Sequence, residues 1–232
     1  MWRFGRGASA PQAHRDGLPP LQTRYAVIDT ELTGLDEKRD SIVSVGALRV
    51  TQGRIDLADR FYEEARPTSA LSAESILVHG ITPDQASGRR EIDAVIIAFA
   101  AWCADDILVG HFITIDLLFL RKEARHAGLG PPTNRVVDTC ALYDWLSGRP
   151  PVAGGPGLHR LRDPRLPELA QLLGVPCSGG HHALDDAFVT AQVFQRLLHL
   201  LPRWGIGTTA DLLRAGNPRG MREHHHGSLP LA

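Results

Sequence analysis

Two acids one residue apart, Asp29 and Glu31, end the apolar run of "YAVIDTELTGLD" (residues 25–36). On a strand, residues i and i+2 point to the same face, so the two carboxylates project side by side about 6 to 7 Å apart. Like charges that close repel, and more strongly as water is removed. A lone D-x-E is ordinarily a solvated strand end. Other acids change that reading. Asp116 sits inside the otherwise apolar "FITIDLLFL", and Asp185 and Asp186 follow the pair His181-His182 in "HHALDDAFV". Acids at helix starts are favoured by capping and by the helix dipole, so each of these three has an ordinary structural explanation. Four acids meeting at one sheet edge would instead need cations. Hard oxygen donors in that number suit Mg²⁺ or Mn²⁺. Two divalent ions neutralise four carboxylates, and such a pair about 4 Å apart is a clamp for in-line attack on a phosphodiester.

The elements that would position these groups follow from pattern. "RYAVID" reads as a buried strand; "SIVSVGALRV" and "RIDLADRFYEEARP" read as two more, joined by a tight hairpin at Thr51-Gln52-Gly53. Helical pieces are expected in "SAESILVHG" and "TPDQAS", then a longer helix in "EIDAVIIAFAAWCAD". A short strand "DILVGH", the helix "IDLLFLRKEARHAG" ended by Gly128 and Pro131-Pro132, the strand "NRVVDT" and the helix "CALYDWL" come next. The Gly/Pro-rich stretch Ser147 to Arg165 is long for a connection and reads as a mobile flap. "LPELAQLLGV" and "LDDAFVTAQVFQRLLHLL" are amphipathic helices. A three-stranded meander followed by alternating helices and strands predicts an α/β protein, a mixed five-stranded sheet with helices on both faces.

At 232 residues and 43% hydrophobic, the chain suits one domain, assigned to residues 24–204, with a basic leader (1–23) and a C-terminal helix and tail (205–232). The leader lacks the apolar centre of a secretory signal, an organelle-targeting peptide being the alternative, and no run approaches the length of a membrane span. Three widely spaced cysteines, Cys103, Cys140 and Cys177, indicate neither a disulfide framework nor a zinc site, which fits a reducing, cytoplasmic setting. A net charge of −1 supplies no global field for nucleic acid, so any such partner must be held locally.

Three segments together resemble the motifs of the DnaQ-like (DEDDh) 3′-to-5′ exonucleases, the family of the epsilon subunit of DNA polymerase III. "VIDTELTGLD" looks like the first, "LVGHFITIDLLFLR" is similar to the second and "HHALDDAFVTAQVF" to the third; "VHGIT" (78–82) and "VDTCAL" (137–142) also look like family segments. The resemblance covers Tyr25 to about Leu200. It implies a ribonuclease-H-like fold. It makes Asp29, Glu31, Asp116 and Asp186 ligands of two Mg²⁺ (or Mn²⁺) and His181 the general base. It also implies release of nucleoside 5′-monophosphates from single-stranded DNA 3′ ends, with RNA as the alternative substrate. A catalytically silent binding module is the rival of another class, and the full ligand set argues against it. The family spacing selects His181 as the base; a continuous helix would put His182, at i and i+4, on the face of Asp186. Thr30, Leu32, Leu35, His79 and Ile115 are the positions set against the substrate. Leu32 stands where Thr is common and Phe112 where Asn is usual. The tail's "SLPL", Ser228 to Leu231, looks like the end of a sliding-clamp-binding peptide, with His226 where its Gln anchor is expected.

Overall fold

The computed structural model describes residues 16–69, 76–77, 80–82, 88–162, 164–177 and 181–218. The helical pieces expected between residues 72 and 87 fall almost wholly outside them, as do His79 and the tail segment Ser228 to Leu231. Within the described residues the chain forms β1 (Arg24–Leu32), β2 (Ile42–Thr51), β3 (Arg54–Arg66), β4 (Arg90–Glu91), α1 (Ile92–Cys103), β5 (Ile107–Gly110), α2 (Thr114–His126), β6 (Val136–Asp138), α3 (Thr139–Ser147), α4 (Leu166–Leu172), α5 (Ala183–Leu200) and α6 (Thr209–Ala215). The sheet order is β4-β3-β2-β1-β5-β6. β1, β2 and β3 form the expected antiparallel meander, while β5 and β6 continue the sheet parallel to β1. The sixth strand, beyond the five expected, is the two-residue β4 paired in parallel with the end of β3. A pairing that short leaves no periodic signal in the sequence.

Alternation along β1 divides the core. Tyr25 and Val27 face a cluster built with α3, α4, α5 and α6, where Tyr25 meets Phe194 edge-on with ring centroids 4.9 Å apart. Ala26 and Ile28 face the cluster built with α1 and α2. Asp29 and Glu31 continue the parity of Tyr25 and Val27, so they point toward the α5 side. β2 is buried along nearly its whole length because helices cover both its faces.

No helix among the described residues is long and apolar enough to cross a membrane. The residues flanking the assigned domain edges pack onto the body. Thr209 N donates to the Leu18 carbonyl at 2.8 Å, Thr23 and Thr209 share a 2.7 Å hydroxyl contact, and Asp138 N donates to the Gly216 carbonyl at 2.8 Å. The stretch read as a mobile flap is pinned instead. Tyr143 Oη donates to the His159 carbonyl and accepts from Leu161 N at 2.7 Å, Trp204 Nε1 donates to the Arg149 carbonyl at 3.0 Å, and Val152 N donates to the Arg203 carbonyl at 2.8 Å. Its Gly/Pro content reflects tight turns in a fixed path.

Candidate active site

The four acids are delivered by three elements. Asp29 and Glu31 come from the end of β1, Asp116 from the first turn of α2, and Asp186 from the first turn of α5. Gly46 makes the third delivery possible. It pairs with Asp29 across β1 and β2, and a Cβ there would lie 2.2 Å from the Ala183 carbonyl carbon and 2.3 Å from Leu184 N. Any side chain at 46 would push the start of α5, and Asp186 with it, off the sheet.

Oxygens of Asp29, Glu31 and Asp186 lie within 4.8 Å of one another. Asp116 stands beside this trio, and Thr30 Oγ1 donates to its Oδ1 at 2.7 Å. Glu31 and Asp116 are 8% and 6% exposed. Burial, followed by repulsion from Asp116, Glu31 and Asp186, holds the Asp29 carboxyl well above its usual range. Glu31 is pushed to about 7 by burial and then by Asp186 and Asp116. Asp116 rises to about 7 through burial, against the lowering effect of the Thr30 bond. Asp186 rises to about 6, again mainly by burial, with His181 pulling it down. Carboxylates that repel one another, two buried and two half-buried, and that pair with no lysine or arginine among the described residues are a donor set able to hold cations. The all-oxygen chemistry fits the hard divalent ions Mg²⁺ or Mn²⁺.

The loop carrying Asp116 is braced from β6. Asp138 caps α3 through Oδ1, accepting from Cys140 N at 2.8 Å and Ala141 N at 3.0 Å, while its Oδ2 accepts from Ile113 N at 2.9 Å. Burial lifts its carboxyl to about 6, and these backbone donors hold it from rising further. His111 Nδ1 meets Thr139 Oγ1 at 2.9 Å, and burial lowers that imidazole to about 4, so it stays neutral. Between His111 and Ile113, Phe112 adopts φ +54°. That left-handed conformation is one Asn tolerates and Phe resists.

The two histidines separate. His182, the N-cap residue of α5, stacks on Tyr62 with ring centroids 4.6 Å apart, and its Nδ1 lies 3.6 Å from Asp185. His181, one residue earlier, is exposed. Asp185 is exposed too. Of the positions set against the substrate, Leu32 and Ile115 are half-buried and pack on the core between the sheet and α1/α2, Leu35 is 41% exposed, and Thr30 holds Asp116. Asp138 and Tyr62 carried no role in the sequence reading. An Asp at a strand-to-helix junction is a capping signal that identifies the first. Tyr62 has no local signal, because only the pairing of β3 with β2 brings it to the site.

A model of the exonuclease family RNase_T matches residues 26–194. The PolC-type DNA polymerase III of Thermotoga maritima is 31% identical over 189 residues, 81% of this chain and 13% of that protein. The corresponding polymerase of Oceanobacillus iheyensis is 32% identical over 188 residues, 81% of this chain and 12% of the relative. The chain thus spans about an eighth of the length of these curated relatives. Among solved structures, the zinc-bound complex of E. coli ExoI with single-stranded DNA superposes with a TM-score of 0.66 at 17% identity, covering 79% of this chain and 42% of that one. Exonuclease X in complex with 5′ overhanging duplex DNA gives 0.58 at 21% identity, covering 82% and 99%. The fold is therefore the ribonuclease-H-like fold of these exonucleases.

Proposed function

Because the chain belongs to the exonuclease family, of the DnaQ-like 3′-to-5′ kind, we propose that it removes nucleoside 5′-monophosphates one at a time from the 3′ ends of single-stranded DNA. The observation that carries this reading is the convergence of Asp29, Glu31 and Asp186 within 4.8 Å, beside a Thr30-anchored Asp116. In it, Asp29, Glu31, Asp116 and Asp186 hold two Mg²⁺ or Mn²⁺ ions. Bound there, the ions would supply Lewis-acid stabilisation of charge on the scissile phosphate and the departing 3′ oxygen. The chain's own groups do the rest. His181, exposed at the mouth of the site and ahead of α5, takes the proton of the attacking water. His182 is stacked on Tyr62, which favours His181 as the base. Leu35, 41% exposed at the end of the first motif, would pack against the terminal base.

The names of the relatives support DNA over RNA, since the matched polymerases and the ExoI and exonuclease X complexes are DNA enzymes by their descriptions. The test is digestion of matched 5′-labelled DNA and RNA single strands with Mg²⁺ or with EDTA, with Asp29→Ala as control. A metal-dependent ladder on DNA that the control lacks is expected. Faster loss of RNA would make the protein an exoribonuclease, and no metal-dependent loss of either would leave a binding module. A sliding-clamp contact through Ser228 to Leu231 is part of the proposal, and a clamp pull-down unaffected by deleting the last six residues would remove it.

A further inference from the structure

Without bound cations the carboxylate site repels the polymer it is proposed to cut, and with two divalent ions it is at best neutral. Four acids at one end of the sheet disfavour a polyanion, and the net charge of −1 gives no compensating field. Attraction for the strand must come from a local source. Arg149, Arg160, Arg162 and Arg165 fall within residues 147–165, against a single acid, Asp163. All four arginines are exposed.

The path of this segment is fixed relative to the site. Leu158 and Leu161 pack on the core beneath α3, the His159 carbonyl is held by Tyr143, and Pro164 is buried with its carbonyl against the His111 ring. His111 leads directly into the loop that carries Asp116. The segment therefore runs back along α3 toward the carboxylates. Two of its ion pairs lie at the surface. Arg160 meets Asp144 at 3.5 Å with both side chains more than half exposed, and Arg165 meets Glu168 at 2.7 Å on the surface. Such pairs contribute little and exchange readily for phosphate. At the far end Arg149 lies over the Trp145 ring, 4.3 Å from its centroid, an arginine–aromatic pair of the kind that accepts bases and backbone together. From Arg160 to Arg165 the chain can span up to about 18 Å, enough to follow more than one phosphate.

We propose that this arginine strap carries the phosphate backbone of the single strand whose 3′ end enters the carboxylate site. The inference rests on the function proposed above, and its test separates the two. Binding of a fluorescein-labelled oligothymidylate is measured by anisotropy in EDTA across a salt series, for the wild type, Arg160→Gln/Arg162→Gln and Arg54→Gln. Arg54 opens β3 at the hairpin, at the opposite end of the sheet from the carboxylates. Turnover with Mg²⁺ is followed on the same oligonucleotide and on the p-nitrophenyl ester of thymidine 5′-monophosphate. Two lost phosphate contacts should flatten the slope of log affinity against log salt by about 1.4 and weaken binding at least about ten-fold at 0.1 M salt. KM for the oligonucleotide should rise in parallel, while ester turnover falls less than about two-fold and Arg54→Gln matches the wild type. An unchanged slope and KM in the double variant, an equal loss in Arg54→Gln, or an equal loss on the ester would overturn the strap. A wild type that binds the strand with the expected salt dependence but cleaves neither substrate would overturn the proposed function and leave the strap standing.

Discussion

Replacing Glu31 with Gln should make the metal-free protein more stable while abolishing its stabilisation by magnesium. Glu31 is 8% exposed, and its carboxyl is pushed from 4.5 to about 7 by burial and by Asp186 and Asp116. Keeping it ionised in the folded state costs about 3 kcal/mol, at 1.36 kcal/mol per pH unit of displacement. Because the folded-state value lies above the unfolded one, the folded protein binds the extra proton, and stability falls as pH rises from about 4.5 to about 7. The cost is absent below that window and complete above it. In EDTA at about pH 8, Glu31→Gln should therefore raise Tm by roughly 6–12 °C in a domain of this size, and the difference should vanish near pH 4.5. Magnesium at about 100 times its Kd should stabilise the wild type by about 2.7 kcal/mol and the variant far less. Calorimetry with and without the ion at both pH values measures all four quantities. A Glu31→Gln protein destabilised equally at both pH values, or stabilised by magnesium as much as the wild type, would refute the picture of an uncompensated carboxylate cluster.

Thr30→Val removes the 2.7 Å bond to Asp116, which both orients that carboxylate and lowers its pKa; kcat should fall about 10- to 100-fold and the acid limb of the pH–rate profile should move upward, while Tm stays nearly constant. His181→Ala should lower turnover by about 10²- to 10⁴-fold, whereas His182→Ala should lower it less than ten-fold, and steady-state kinetics showing the reverse ranking would reassign the base. Phe112→Asn should relieve the φ of +54° and add about 1 kcal/mol of stability, read from denaturant melts; a loss would mean that the edge-on contact with His111, at 4.6 Å, outweighs the strain. Gly46→Ala should cost about 1–3 kcal/mol in the same melts and suppress cleavage, because the new methyl meets the backbone at the start of α5.

The carboxylate cluster was legible because its residues lie in short runs. Strand parity alone sets Asp29 beside Glu31, and three ordered segments name Asp116 and Asp186. The meander and the helices α1 to α5 were legible for the same reason, since their apolar periods are local. What stayed hidden depends on contacts between distant segments. Nothing near Gly46 says that a helix begins on top of it, and nothing near Thr30 says that its hydroxyl reaches Asp116, 86 residues away. Leu32, set against the substrate by the resemblance, also packs half-buried on the core at the register irregularity between Glu31 and Leu32, a contact its own segment does not announce. The glycines and prolines of residues 147–165 suggested mobility, whereas Tyr143, Trp204 and Arg203 lie far enough off in sequence that their grip could not be read.

The hydrogen bond from Thr209 to Leu18 has a topological meaning. It ties the start of α6 to the segment ahead of β1, at the pole opposite the carboxylates and about 17 to 23 Å from Asp29 and Glu31 along the strand, and α6 then runs back so that the Gly216 carbonyl meets Asp138 N near the loop that carries Asp116. The short helix α6 thereby clasps both poles of the sheet, at Leu18 through Thr209 and at Asp138 through Gly216, so the last described turn braces the same Asp138 whose carboxylate holds the loop before Asp116.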